Sequence, residues 1–340
     1  INIKIIKNSR TFTIGGTGQE WSNISSYFEN FELKNRDSKR NSWPLTHSDL
    51  LKLYKKIDKK FGFDYQQLRK INLNIPFSVR KFFARAKPTN FKKFHSGKNY
   101  DILYNATVDY IDENLNSVII YIASNSKKKI IKVKSVTLCN GGLETIKIIL
   151  KSLKKGMLKR LENKKFVGKY FMDHPKTYIG ILNYPKKKFI DKIKLDISKN
   201  KISYYGISLS EEDQIKNNCL NSYVRFEKQN QKLSPVLDLL DKTLGLNFKK
   251  KESYLMRIFL EMKPRFNNKI KINKNENIVS NFDIGAQEIK TIHFLVKKIY
   301  NYLSKEPNKE KINLLKKSKL KLNGASHHMG GLSFPLVVDK

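Results

Sequence analysis

The amino-acid sequence predicts a mixed α/β chain, α+β overall, whose 340 residues suffice for one large or two ordinary domains. Three observations predict this class. A strand, a double glycine and a helix follow one another around Gly141-Gly142. Beyond residue 175, strand-like runs alternate polar and apolar residues with a period of two, which is typical of half-exposed antiparallel sheets. An apolar stripe with helical spacing then covers residues 286–304.

The first hundred residues contain a glycine-rich segment and one clear helix. Three glycines fall within Gly15-Gly16-Thr17-Gly18, a pattern that indicates backbone turning sharply or approaching a ligand closely. Thr46, with Asp49 three residues on, resembles a capping box at the start of a helix. An apolar stripe follows and stops near Gly62. We expect residues 63–97 to be mixed helix and loop.

Three short strands are predicted next, at Asp101–Ile111, Ser117–Ala123 and Ile130–Cys139. The third strand runs into Asn140-Gly141-Gly142 and a helix to about Leu153, which Gly156 would end. A strand, a double glycine and a helix N-terminus form a natural place for an anionic or polar cofactor group. We expect Cys139, in the apolar strand pattern, to be a small core residue.

The second half of the chain predicts an antiparallel sheet backed by helices. Strand-like runs occur at 176–183, 201–209, 221–227, 253–262 and 269–273. Helices are predicted at 234–244 and 286–304.

The composition is strongly basic, with a formal net charge of +38. Nucleic-acid binding would explain such a charge, because Lys and Arg neutralise phosphates. Only ten of the 68 basic residues are Arg, however, and Lys, Asn and Ile are raised together along the whole chain. We interpret the excess as compositional drift and expect no specific nucleic-acid partner. The sequence has only two cysteines, which suits a reducing compartment. It contains no run of about 18 apolar residues, so no transmembrane helix is predicted, and we expect a cytoplasmic protein.

Six short segments carry a further pattern. They are Gly15-Gly16-Thr17-Gly18-Gln19-Glu20-Trp21, Ser42-Trp43-Pro44-Leu45, Asn105-Ala106-Thr107-Val108, Thr137 to Thr145, Val167 to Pro175, and His327-His328-Met329-Gly330. In this order they resemble the glucose-methanol-choline (GMC) family of flavin oxidoreductases. The resemblance covers nearly the whole chain. It implies a Rossmann-like FAD-binding domain split in sequence and an antiparallel-sheet substrate domain backed by helices.

The resemblance also implies the site residues. His327 matches the family's catalytic base, and His328, at a variable position, would support it. FAD would be held by Gly15, Gly16, Thr17, Gly18, Trp21, Val108, Asn140, Gly141 and Gly142. Some relatives link FAD covalently to a histidine beside the tryptophan, but Glu20 stands there, so we expect non-covalent FAD. His174 is expected to be structural, and no metal site is predicted.

The domain boundaries follow from the same comparison. We expect a flavin-covering loop region at 1–42, a helical connection at 43–97 and the main FAD-binding region at 98–175. A substrate-binding domain would follow at 176–318, and a C-terminal catalytic segment would start at 319–340. The family's Gly-x-Gly-x-x-Gly fingerprint and its Asn-Pro segment would lie outside Ile1–Lys340, so we expect the sequence to be a fragment.

The function that the resemblance implies is oxidation of a CH–OH group, in a sugar or another alcohol, to a carbonyl, with hydride transfer to flavin N5 and an electron acceptor that stays unknown. Two alternatives remain open. The chain could be an inactive, truncated remnant that binds no flavin. It could also be a basic nucleic-acid-binding protein, which predicts lysines clustered on one face and a binding module.

Overall fold

A computed structural model describes residues 3, 10–13, 15–19, 24–33, 45–61, 74–85, 99–124, 127–183, 189–190, 193, 196–198, 201–228, 253–303 and 322–332. Helices and antiparallel sheets are mixed in these ranges, as the sequence predicts. Every strand pair in the described ranges is antiparallel, so a parallel Rossmann-like sheet is not among them.

The strands are β1 (Ile24–Ser25), β2 (Ser78–Arg85), β3 (Thr107–Asn114), β4 (Ser117–Ser124), β5 (Lys127–Val133), β6 (Lys176–Asn183), β7 (Asp196–Ser198), β8 (Lys201–Ser208), β9 (Tyr223–Lys228), β10 (Ser253–Phe259), β11 (Lys269–Ile272) and β12 (Ile278–Asn281). The α-helices are α1 (Asn30–Leu33), α2 (His47–Phe61), α3 (Gly141–Lys154), α4 (Glu211–Lys216) and α5 (Ala286–Leu303).

The largest sheet has seven strands in the order β1-β2-β8-β9-β10-β6, with the short β7 paired to β8. Strands β6, β8, β9, β10 and β11 match the five predicted runs within a few residues. The prediction for residues 63–97 is wrong where β2 forms, because β2 completes this sheet by pairing Ser78 to Arg85 along the whole of β8. The helix predicted at 234–244 lies outside the described residues.

The main core lies between one face of this sheet and α5. Val224, Met256 and Ile258 point to the core from neighbouring strands and are fully buried, at 0% exposure. The apolar stripe of α5, including Leu295 and Ile299, is equally buried and belongs to the same cluster. The amphipathic pattern of 286–304 is thus confirmed, and its apolar face covers the sheet.

A second, smaller unit is the β3-β4-β5 meander with α3 packed against β3. Ile111 and Ile148 meet in its core, and the Ile111 amide donates to the Ser152 hydroxyl oxygen at 2.9 Å. The third predicted strand is shorter than expected, because β5 ends at Val133. Cys139 therefore lies outside the strand and is exposed, which corrects its prediction as a core residue.

Candidate functional site

Two distant segments run side by side and build the site. Met172 and Met329 form an isolated antiparallel bridge, in which the Met172 amide donates to the Met329 carbonyl at 2.8 Å and the Met329 amide returns a bond of 3.0 Å. Gly168 donates to the Gly331 carbonyl at 2.7 Å farther along. The Val167–Pro175 and His327–Gly330 motifs, far apart in the sequence, are thus neighbours in space.

Asp173 holds the turn that carries the histidines. Its carboxylate is buried, at 2% exposure, and accepts four backbone N–H groups. One oxygen accepts from Ala325 at 2.9 Å and Ser326 at 3.2 Å, and the other accepts from His327 at 3.2 Å and His174 at 2.7 Å. Charge-assisted bonds of this kind are stronger than those between neutral groups, so the carboxylate fixes the position of His327.

His174 and His327 are hydrogen-bonded to each other. Nε2 of His174 meets Nδ1 of His327, and the ring centroids are 4.4 Å apart. One nitrogen of the pair must carry the proton and the other must accept it. If His327 donates from Nδ1, its Nε2 keeps a lone pair, and the ring can act as a base. His174 then accepts the hydrogen bond from Nδ1 of His327 and orients the His327 ring. This role goes beyond the structural one that is predicted for His174.

Both rings favour the neutral state. Burial, and next the neighbouring His327, lower the pKa of His174 from 6.5 to about 4. Part of the His327 side chain reaches the surface, yet burial of the rest lowers its pKa as well, against the opposing attraction of Asp173. Neutral imidazoles at physiological pH have a lone pair available for accepting a proton.

His328 faces the other way, toward the protein interior. Its ring stacks on Phe171 at 5.7 Å between centroids, and its Nε2 is buried without a hydrogen-bond partner among the described residues. Burial lowers its pKa too. The His328 carbonyl oxygen would lie 2.8 Å from a Cβ placed on Gly142, so the histidine turn rests directly on the first turn of α3.

The double glycine lies beside the histidine turn, because Gly142 faces the His328 carbonyl. Asn140 and Gly141 are exposed, Asn140 makes no side-chain cap to α3, and a Cβ on Gly141 would meet nothing within 4 Å. Among the described residues, the first turn of α3 therefore has space beside Gly141, whereas the His328 carbonyl lies close to Gly142. Val108, on β3, is half-buried and packs against the small core under this helix.

The glycine-rich segment folds into a 3₁₀ turn at Gly16–Gln19, which includes Gly18 and follows Gly15. The Thr11 amide donates to the Thr17 hydroxyl oxygen at 3.1 Å, which closes the turn. Arg10, just before it, pairs with Glu144 in the first turn of α3 at 3.0 Å. The turn is thereby connected to the helix that supports the histidines, whereas Trp21 lies outside the described residues.

Two residues that organise the site, Asp173 and His174, are not predicted as functional residues from the sequence. In the sequence, Asp173 is one position of the Val167–Pro175 motif, although a lone acidic residue in this apolar stretch is a signal for a buried, hydrogen-bonded carboxylate. The partnership of His174 with His327 spans 153 positions and leaves no local signal.

Two searches of the described residues concern metal ligands and membrane-spanning helices. No group of three or more His, Cys, Asp or Glu side chains there could hold a metal ion. The described helices likewise include no apolar segment with the length that a bilayer span requires.

No protein-family model and no curated protein matches the chain. The GMC resemblance therefore rests on the six segments, and the cofactor and reaction that it implies stay predictions.

Proposed function

We propose that the chain is part of an FAD-dependent oxidoreductase that oxidises a CH–OH group to a carbonyl, with His327 as the base. The observation that carries the proposal is the hydrogen bond between His327 and His174 in a turn fixed by Asp173. A general base needs a neutral ring held in one orientation, and the bond to His174 holds the His327 ring in this way.

In this reaction Nε2 of His327 takes the hydroxyl proton of the alcohol. His174 accepts the hydrogen bond from Nδ1 of His327 and stabilises the imidazolium that forms. Asp173 adds a nearby negative charge, which favours the same cation. His327, His174 and Asp173 need no rearrangement for this proton transfer, because the hydrogen bonds that join them are already present.

The described residues fit the cofactor that the family would use. A Cβ on Gly141 would meet nothing within 4 Å, so the backbone at the start of α3 can be approached closely there, and a helix N-terminus favours an anionic group. The residues that would hold FAD without a covalent link are Gly15, Gly16, Thr17, Gly18, Val108, Asn140, Gly141 and Gly142. When bound, FAD would supply the two-electron acceptor for the hydride that leaves the substrate carbon. The Rossmann-like domain remains part of this proposal.

The test is visible absorption of the purified natural protein. We expect flavin bands that bleach anaerobically when a sugar or another alcohol is added. A His327→Gln variant should keep its flavin and lose about 10²- to 10⁴-fold in kcat. His293→Gln, in α5, is the matched control and should react like the natural protein. A folded, colourless protein that takes up no added FAD would overturn the proposal and favour the remnant.

A further inference from the structure

The seven-stranded sheet has a second face, opposite the core, that is polar and aromatic. Alternation along β9 and β10 places the side chains of 223, 225, 227, 257 and 259 there, since 224, 256 and 258 are buried in the core. With their neighbours on β6 and β8 they form what we call the arginine face. Its members are Lys176, Tyr178, Tyr204, Tyr223, Arg225, Glu227, Arg257 and Phe259.

Three cations and one carboxylate meet on the arginine face. Glu227 pairs with Arg225 and, at 3.3 Å, with Arg257. It also accepts a bond of 2.8 Å from the Tyr178 hydroxyl. Lys176 makes no side-chain ion pair within the described ranges. Burial, followed by repulsion from Arg257 and Arg225, lowers the pKa of Lys176. Positive charge on this face is therefore in excess.

Aromatic rings hold the two guanidinium groups in place. The Arg225 guanidinium carbon lies 5.0 Å from the Tyr204 ring centroid and 5.4 Å from that of Phe259. The Arg257 carbon lies 5.3 Å from the Tyr178 ring and 5.7 Å from Phe259. About a quarter of each arginine side chain is accessible, 24% and 25%. Planar groups fixed in this way lose little freedom when they bind an anion.

The arginine face adjoins the two histidines. The ring centroids of Phe259 and His174 are 6.3 Å apart, so one aromatic ring separates both arginines from the proposed base pair. Lys176 is two residues from His174. Tyr223 stacks on Phe259 at 4.7 Å, and it can lie flat because its neighbour is Gly206, where a Cβ would come within 2.6 Å of the Tyr223 ring. The face and the histidines thus form one continuous surface.

We infer that the arginine face binds an anionic group, a carboxylate or a phosphate, of a substrate whose hydroxyl-bearing carbon lies at His174 and His327. The three cations, Lys176, Arg225 and Arg257, still exceed the two negative charges near them, which are those of Glu227 and Asp173. A neutral sugar would leave this excess unmatched. The oxidation step rests on the proposed function, in which the hydroxyl proton goes to His327 and the hydride to FAD. The binding of the anion does not.

Calorimetric titration of the natural protein with D-gluconate, glucose 6-phosphate and D-glucose tests the inference. We expect one of the two anions to bind and D-glucose to bind at least about 10-fold more weakly. The two anions distinguish a carboxylate site from a phosphate site. Lys176→Gln should weaken the anion about 10-fold or more, since one charge-assisted bond is lost. Glu227→Gln removes the competing carboxylate and should strengthen the same binding.

Lys129→Gln, on the exposed edge of the distant meander, is the matched control and should bind like the natural protein. Equal affinity for D-glucose and the anions, or no response to Lys176→Gln, would overturn the anion site while leaving the oxidoreductase proposal standing. Conversely, anion binding that depends on Lys176 in a protein without flavin would support the site and contradict the oxidoreductase proposal.

Discussion

At the scale of single residues, Asp173 and the two histidines form one unit. The carboxylate has no cationic side chain among its hydrogen-bond partners in the described ranges, and it accepts instead from the backbone of both segments. A buried negative charge is tolerable when several N–H groups are directed at it. The position of His327 therefore depends on a side chain 154 positions away.

Replacing Asp173 by Asn should destabilise the protein by about 3 kcal/mol, because an amide NH₂ would face N–H donors and a charge-assisted acceptor would be lost. Urea unfolding measures the change. Asp101→Asn, at an exposed position, should leave the unfolding midpoint unchanged. Equal midpoints for both variants would show that the turn is held by other contacts.

Stability should also depend on pH through His174. Its pKa is lowered to about 4 in the folded protein, whereas the unfolded chain takes up the proton near the ordinary value of 6.5. The unfolded state therefore binds more protons between these values, and stability falls as pH drops through that window and is unaffected above it. We expect a loss of about 2 kcal/mol on going from about pH 8 to about pH 5.

The check is the urea midpoint of the natural protein and of His174→Gln across the same pH range. The variant should show a shallower loss, because the glutamine does not titrate. Parallel curves for the two proteins would contradict the assignment of this loss to His174.

The sequence predicts some residues of the candidate site and not others. His327 could be chosen because a histidine beside glycines near other family-like segments indicates catalysis. Its partner could not, since hydrogen bonds across 153 positions follow from the fold and not from spacing. The double glycine can be read from the sequence, but the unpartnered ring nitrogen of His328 is visible only in the folded chain.

At the scale of elements, the C-terminal segment 322–332 acts as an added strand-like ribbon against 168–176. Gly330 allows the close approach. It has φ of +79°, and a Cβ there would overlap the Tyr170 carbonyl oxygen. A side chain is therefore excluded on both conformational and steric grounds.

Gly330→Ala should cost about 3 kcal/mol or more and separate the two segments. Hydrogen exchange at the Met172 and Met329 amides, which are bonded to each other's carbonyls, should become fast. Gly156→Ala serves as the control, because it shares a positive φ of +76° but meets nothing within 4 Å. It should lose only about 1 kcal/mol, with slow exchange retained at both methionines.

Elements with a local pattern were predicted well and those with a distant partner poorly. The capping box is confirmed, because the Thr46 amide donates to Asp49 at 3.0 Å and the Asp49 amide to the Thr46 hydroxyl oxygen at 3.3 Å. Strand β2 was missed, since Ser78–Arg85 lacks a clear alternation and gains its partner, β8, more than a hundred residues later. The early end of β5 likewise depends on a partner strand, because the pairing with β4 stops where Val133 meets Val118.

At the scale of the whole molecule, one lysine connects three parts of the fold. Lys151 in α3 pairs with Asp109 in β3 and, at 2.6 Å, with Glu276 in the turn between β11 and β12. Burial alone would lower the pKa of Lys151, but its bonds to both carboxylates outweigh burial and raise it. The meander, the helix and the hairpin thereby share one ionic contact.

Lys151→Met should destabilise the protein by about 1–3 kcal/mol, because two carboxylates would lose their common partner. Hydrogen exchange should quicken at residues 269–281 and stay slow in β9 and β10. Lys154→Met, on the exposed side of the same helix, is the control. Uniform changes across all strands would show that the lysine contributes to global stability alone.

The bridge between the two site segments also bears on the order in which the protein assembles. Asp173 and Ala325 are 152 positions apart, so their contact closes a very long loop, at a cost in chain entropy that grows with loop length. During synthesis from the N-terminus, all strands of the large sheet leave the ribosome before residue 327 does. The sheet can therefore form before His174 meets His327, and the pair of histidines exists only after residue 327 has emerged from the ribosome.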